Sequence, residues 1–262
     1  MGVDATLDEA ALLQALPGLA FAFALVLSRT GMAIMLLPGL GEIEPPAIVR
    51  AGLAFAVTLL LLPAVAPMVG TAPEGWGAGG MIAGELLAGA VIGWLGRLPA
   101  LALSMAGAFI STMAGLTSVV QPDPALGGQS AALARLLGLL APVLILSTGL
   151  YALPLNALAS SYHIIPPGAV MPAGPVLDLI CAAVSASFGL ALRLAAPFIF
   201  ASLLLQVGLG LLARLVPQLQ VFSVSTPGQI LGGLILLGSL AGSLLSAWRE
   251  SINASWLALP GL

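Results

Sequence analysis

Lysine is absent from this 262-residue chain, and cysteine and histidine occur once each. Charge is almost as scarce: seven arginines and ten acidic residues make up 6% of the sequence, where a soluble globular domain carries roughly 25%. So few charges cannot cover the surface of a water-soluble globule of this length. A single cysteine excludes a disulfide scaffold. One Cys and one His are too few for a Cys/His zinc site. Without lysine there is no Walker phosphate loop, and seven scattered cations are no footprint for nucleic acid. No metal, cofactor or nucleic-acid partner is expected.

What is present is apolar: 60% of the residues are hydrophobic. A helix needs about 20 apolar residues to cross a bilayer, and long runs cover residues 17–41, 47–69, 78–120, 131–161, 175–216 and 227–248. Pro- and Gly-rich stretches separate them. Leu and Ala dominate, and the runs are continuous, so helices rather than a barrel are expected. The fold class is therefore all-α, a polytopic membrane protein of six to eight helical segments without a soluble domain. The runs 78–120 and 175–216 are each about twice one crossing. Each has an Arg followed by a Pro near its middle, Arg97 with Pro99 and Arg193 with Pro197. That pattern reads as an interfacial turn between two helices; the alternative is one long helix buried in other protein. Trp76, Tyr162, Trp248 and Trp256 fall near segment ends, where interfacial aromatics sit. The acidic start (Asp4, Asp8, Glu9) is unlike a secretory signal and, with Arg50 beyond the first loop, points to an N-terminus outside the cytoplasm.

Charges inside or at the edge of apolar runs are the first candidate sites: Arg29, Arg50, Glu85, Arg97, Arg135, Asp178, Arg193 and Arg214. Each costs at least about 2.5–3.5 kcal/mol near the bilayer centre. Arg29 and Glu85 are the most deeply placed. They read as an ion path, as a buried pair, or as contacts with a neighbouring subunit, and a single mid-span acid argues against a proton path. Glycine pairs four apart, such as Gly80/Gly84, Gly89/Gly93, Gly228/Gly232 and Gly238/Gly242, permit close helix packing, but chance alone yields about four such pairs at this glycine content. The stretch from Phe109 to Leu116, with Met113 inside it, is small and flexible, suited either to ordinary packing or to an apolar constriction. Cys181 reads as a buried small hydrophobe. Ser161 and His163 hint at nucleophilic chemistry, but no G-x-S-x-G elbow accompanies them, and no enzyme is expected.

Several motifs occur together. Arg29-Thr-Gly-Met is followed by Pro38-Gly39 and then Pro45 to Arg50. Ala106-Gly107 and Met113-Ala114-Gly115 lead into Asp123-Pro124. Ser161-Tyr162 precedes Ile165-Pro166-Pro167-Gly168. The most specific block is Leu209-Gly210-Leu211-Leu212-Ala213-Arg214-Leu215-Val216-Pro217-Gln218, with Val221-Phe222 and Pro227. In this order the motifs resemble the FliR family of flagellar type III export-gate membrane proteins, with the virulence-secretion SctT proteins as its counterpart. Ala108 stands where a Glu is common in the family. The resemblance implies a FliP/FliQ-like fusion of helical hairpins, about 10–200 FliP-like and about 200–250 FliQ-like. It implies FliP-like and FliQ-like subunits and FlhB-like and FlhA-like export proteins as partners, with unfolded proteins in transit, in the inner membrane at the flagellar basal body. It implies that Phe109, Met113 and Leu116 contribute a plug, that Arg29, Arg50, Glu85, Arg97 and Arg214 meet neighbouring subunits rather than lipid, and that Asp123, Pro124, Pro217 and Gln218 are family positions. An SctT-type virulence subunit is the nearest alternative. A small-solute transporter is the alternative of another class, for which the repeated Arg…Pro pattern is a faint internal echo.

Overall fold

The computed structural model describes residues 3–70, 76–116, 132–169, 171–215 and 221–259. The Leu- and Ala-rich runs form helices throughout: α1 (Val3–Leu36), α2 (Ala47–Val65), α3 (Trp76–Met113), α4 (Ala132–Ser147), α5 (Ala152–Ile164), α6 (Ala173–Leu215) and α7 (Val221–Leu257). No strand occurs among the described residues. Five of these helices are long and apolar enough to cross a membrane, or six spans if α4 and α5 count as one. The chain is an all-α polytopic membrane protein.

Its residues cluster into two compact units. The first comprises Met1–Arg97, Gly149–Ile180 and Trp256–Leu262. Here α2 lies against α1: the hydroxyls of Thr30 and Thr58 meet at 2.6 Å, and Phe23 stands edge-on to Phe55 at 5.5 Å between ring centroids. Val26, Val65 and Tyr162 form one small core, and Ala33, Ile92 and Leu158 another. The α3 helix approaches α1 through glycines. A Cβ on Gly93 would stand 2.7 Å from the Leu36 Cβ, and one on Gly89 would overlap the Arg29 carbonyl. Among the glycine pairs, only Gly89/Gly93 therefore builds such an approach with both members; Gly80, Gly228, Gly232, Gly238 and Gly242 have open space around them. The indole of Trp256 donates to the Gly96 carbonyl at 3.0 Å.

The second unit comprises Leu98–Thr148 and Cys181–Ser255. The buried positions of α4, namely Leu133, Leu137, Ala141 and Ile145, recur every four residues and so share one face. Gly107 of α3 admits that helix, because a Cβ there would stand 2.8 Å from the Ala134 Cα. In α6 the buried stripe runs Ser187, Ala191, Leu194, Ala195, Phe198, Ser202. Trp248 donates its indole N–H to the Pro99 carbonyl at 3.1 Å.

Several expectations are corrected. The runs 78–120 and 175–216 are not hairpins turning at Arg97–Pro99 and Arg193–Pro197. Each is one helix, of 38 and 43 residues, with the proline inside it. Proline removes one N–H from the ladder, but in a chain with little access to water the helix that satisfies every other backbone group persists through it. At 1.5 Å per residue α3 and α6 are about 57 and 65 Å long, against a hydrocarbon core of about 30 Å. Conversely, the run 131–161 is not one segment: α4 ends at Ser147 and α5 begins at Ala152, and between them Gly149 takes a positive φ of 75°. Helix α7 begins at Val221, ahead of Pro227. Tyr162, Trp248 and Trp256 are buried core residues rather than interfacial anchors, because each ring covers apolar surface while its polar atom finds a carbonyl. Cys181 is exposed, on a helix that the rest of the chain leaves largely uncovered. The Trp76 side chain, Asp123, Pro124, Pro217 and Gln218 lie outside the described residues.

Candidate functional site

Arg29 and Glu85 are 56 residues apart in sequence and meet inside the first unit, both side chains fully buried. Arg29 sits on α1, Glu85 on α3. The pair is bidentate: Arg29 Nε donates to Glu85 Oε2 at 2.7 Å and Nη2 to Oε1 at 2.9 Å. Nη2 also donates to the Ile165 carbonyl at 3.0 Å, and Nη1 to Ser161 Oγ at 3.3 Å. The guanidinium lies over the Tyr162 ring, 4.2 Å from its centroid. Glu85 Oε1 accepts a further hydrogen bond from the Gly168 N–H at 2.7 Å. One ion pair thus ties α1, α3, α5 and the Pro-Pro-Gly turn after α5 together. Nearly every donor and acceptor is used, which is the condition under which a buried pair is tolerated. Ser161 donates to the Leu158 carbonyl at 2.6 Å and is held by Arg29; it has no bond to His163, which is exposed in the last turn of α5. Among the described residues the cluster joins α1, α3, α5 and the following turn through these bonds.

Arg97 also leaves the turn expected of it. From within α3 it donates to the Leu36 carbonyl, at the last residue of α1, at 3.2 Å and to Glu42 at 3.1 Å. A cation there complements the negative end of the α1 dipole. Glu42 in turn accepts from the Gly39 N–H at 3.2 Å. Both side chains are partly exposed, so the ion pair is worth about 1 kcal/mol or less. Glu42 lies in the Gly- and Pro-rich stretch between the first two apolar runs, which carries no local sign of this contact. Arg50 has its Nε buried with no acceptor among the described residues. Arg135, Asp178, Arg193 and Arg214 are exposed.

In the second unit, the candidate constriction falls at the C-terminal end of α3. Phe109, Met113 and Leu116 are all half-buried. Met113 and Ala114 line an apolar cavity of about 250 Å³, with Phe198 and Leu205 of α6 and Gly232 and Leu236 of α7. Phe109 and Leu116 are not in its wall. The α7 side chain Gln229 reaches the end of α3 and donates from Nε2 to the Met113 carbonyl at 2.8 Å. Gln229 carried no weight in sequence; its one signal is a lone amide at the start of the apolar run 227–248.

These features together describe a membrane helix assembly with a rigid clamp and an apolar helix end. A profile of the family described as "Bacterial export proteins, family 1" matches residues 20–255. The chain belongs to this family. Among its relatives, the flagellar biosynthetic protein FliR of Caulobacter vibrioides is 34% identical over 87% of this chain and 91% of its own length. The FliR of Escherichia coli K12 is 29% identical over 78% and 77%. Yop proteins translocation protein T of Yersinia pestis is 27% identical over 78% and 80%. As a bacterial export protein the chain is a multi-pass membrane subunit of a type III export apparatus, and it is not an enzyme. The motifs read from Arg29 to Pro227 lie inside the matched region.

Proposed function

We propose that this chain is a subunit of the flagellar export gate in the bacterial inner membrane. With FliP-like and FliQ-like subunits it forms the channel through which unfolded flagellar proteins leave the cytoplasm, and FlhA-like and FlhB-like proteins work with that complex. The observation that carries this reading is the bareness of the last two helices. In their most apolar stretches only 22% of α6 and 6% of α7 is buried, against 61% of α3. Helices of about 65 and 55 Å project well beyond a hydrocarbon core of about 30 Å. Apolar surface outside the bilayer needs protein to cover it, and in the proposed assembly the partner helices do so. Arg50, with an unpaired buried Nε, and Arg214, exposed at the end of α6, are the charges a neighbour would satisfy. Arg29 and Glu85 are consumed by one another. The division into a FliP-like part, about 10–200, and a FliQ-like part, about 200–250, belongs to this proposal. So does the plug formed by Phe109, Met113 and Leu116.

Likeness to the Caulobacter flagellar relative over most of both chains supports the flagellar assignment over an SctT-type virulence role. Deletion of the gene is expected to abolish secretion of hook-type and filament-type subunits while their synthesis continues. Restoring the gene restores flagella. Undiminished flagellar secretion in the deletion strain, with loss of a needle-type secretion system instead, would overturn the flagellar reading.

A further inference from the structure

Helix α3 stops at a defined place. Gly115 takes a positive φ of 71°, the left-handed conformation that ends helices and that glycine adopts without a Cβ penalty. The Ala114 N–H still reaches the Ile110 carbonyl at 2.8 Å, and the Gly115 N–H reaches Thr112 at 3.2 Å. The Met113 carbonyl lies beside an apolar cavity, where a hydrogen-bond partner matters most. Among the described residues, the Gln229 amide of α7 donates to it at 2.8 Å. One turn along α7, Gly233 receives the same segment: a Cβ there would stand 2.5 Å from the Ala114 Cβ. Gly115 fits under Gln229 with the same economy, because a Cβ on it would stand 3.3 Å from the Gln229 Cδ. Gln229 and Gly233, four residues apart on one face of α7, therefore form a seat for Met113, Ala114 and Gly115.

We infer that Gln229 is a positioning residue for the gate: its amide fixes the root of the apolar plug to α7 and so sets how tightly the resting channel closes. This rests on the reading of Phe109 and Met113 as plug residues. The bond is a single neutral one, of the size that thermal motion and a passing polypeptide can exchange, and the cavity beside Met113 gives the thioether room to withdraw.

The test replaces the chain in its native host by Gln229→Met, which keeps length and bulk and removes the donor. The control is Gln206→Met, since among the described residues Gln206 bonds within its own helix, to Ser202 at 3.2 Å. Ion leak across membranes containing the idle apparatus is measured beside the amount of chain that copurifies with the complex. Gln229→Met is expected to assemble normally and to raise the leak severalfold, and Gln206→Met to leave it unchanged. A normally assembled Gln229→Met complex as tight as the native one would overturn the inference. If Gln229→Met fails to accumulate, Gly233→Ala decides. It leaves the amide in place and pushes on Ala114, so a leak supports the seat and a tight channel refutes it. A Phe109→Ala/Met113→Ala chain run in parallel separates the two layers. A leak there with a tight Gln229→Met channel removes the latch and keeps the plug; no leak in either removes both.

Discussion

Replacing Glu85 by alanine removes the chain from the membrane and stops export with it. The carboxylate is fully buried and bidentate to a fully buried guanidinium, so its loss leaves Arg29 charged, dry and unpaired. Breaking a buried pair from one side costs roughly 3–5 kcal/mol, a large part of the 5–15 kcal/mol that holds a typical domain together. The Gly168 N–H loses its acceptor in the same step, and the turn after α5 is freed from α3. Because Glu85 and Arg29 neutralise each other within one network, removing both is milder than removing either. A Glu85→Met/Arg29→Met chain is expected to recover much of the steady-state level that Glu85→Ala loses. Membrane abundance and the midpoint of thermal unfolding in detergent measure this. A Glu85→Ala protein as abundant and as heat-resistant as the native one would show that the clamp is not what joins α1, α3 and α5.

The second large effect is on permeability. Trimming Phe109 and Met113 together to alanine is expected to let ions through the assembled apparatus at rest, with dissipated membrane potential and slowed growth as the visible result. A closed conduit for polypeptides must exclude water and yet yield to a chain, and flexible apolar side chains do both. Both residues are half-buried in the second unit, so the substitution removes bulk without emptying a sealed core. Native ion tightness in a fully assembled double-alanine complex would contradict the plug.

How much of this was legible beforehand differs from residue to residue. Composition alone was enough for helices in a membrane, because apolar runs this long have few other uses. Arg29 and Glu85 stood out as costly, and cost implied partners; that they were each other's partner was not readable across 56 residues. The prolines misled for a physical reason. Pro99 and Pro197 carry the same local signal as a turn, but whether a helix ends there depends on what surrounds it, and here α3 and α6 continue. Trp248 and Trp256 misled in the same way: an aromatic near a segment end can anchor at a membrane surface or fill a core, and a carbonyl on α3 decides for the core. Gly89 and Gly93 could not be told from chance pairs until α1 was seen against them. Gln229 was missed because its meaning lies entirely in a contact with Met113, 116 residues away.

In the proposed assembly, unlike helical subunits cover α6 and α7. The mass of the intact complex, purified from its native membrane through a tag on this chain and weighed in the gas phase, tests that most directly. The expected result is a defined assembly of this chain with at least two other small membrane proteins. A monomer or homo-oligomer that is stable alone, and that takes up small solutes when reconstituted in liposomes, would contradict it.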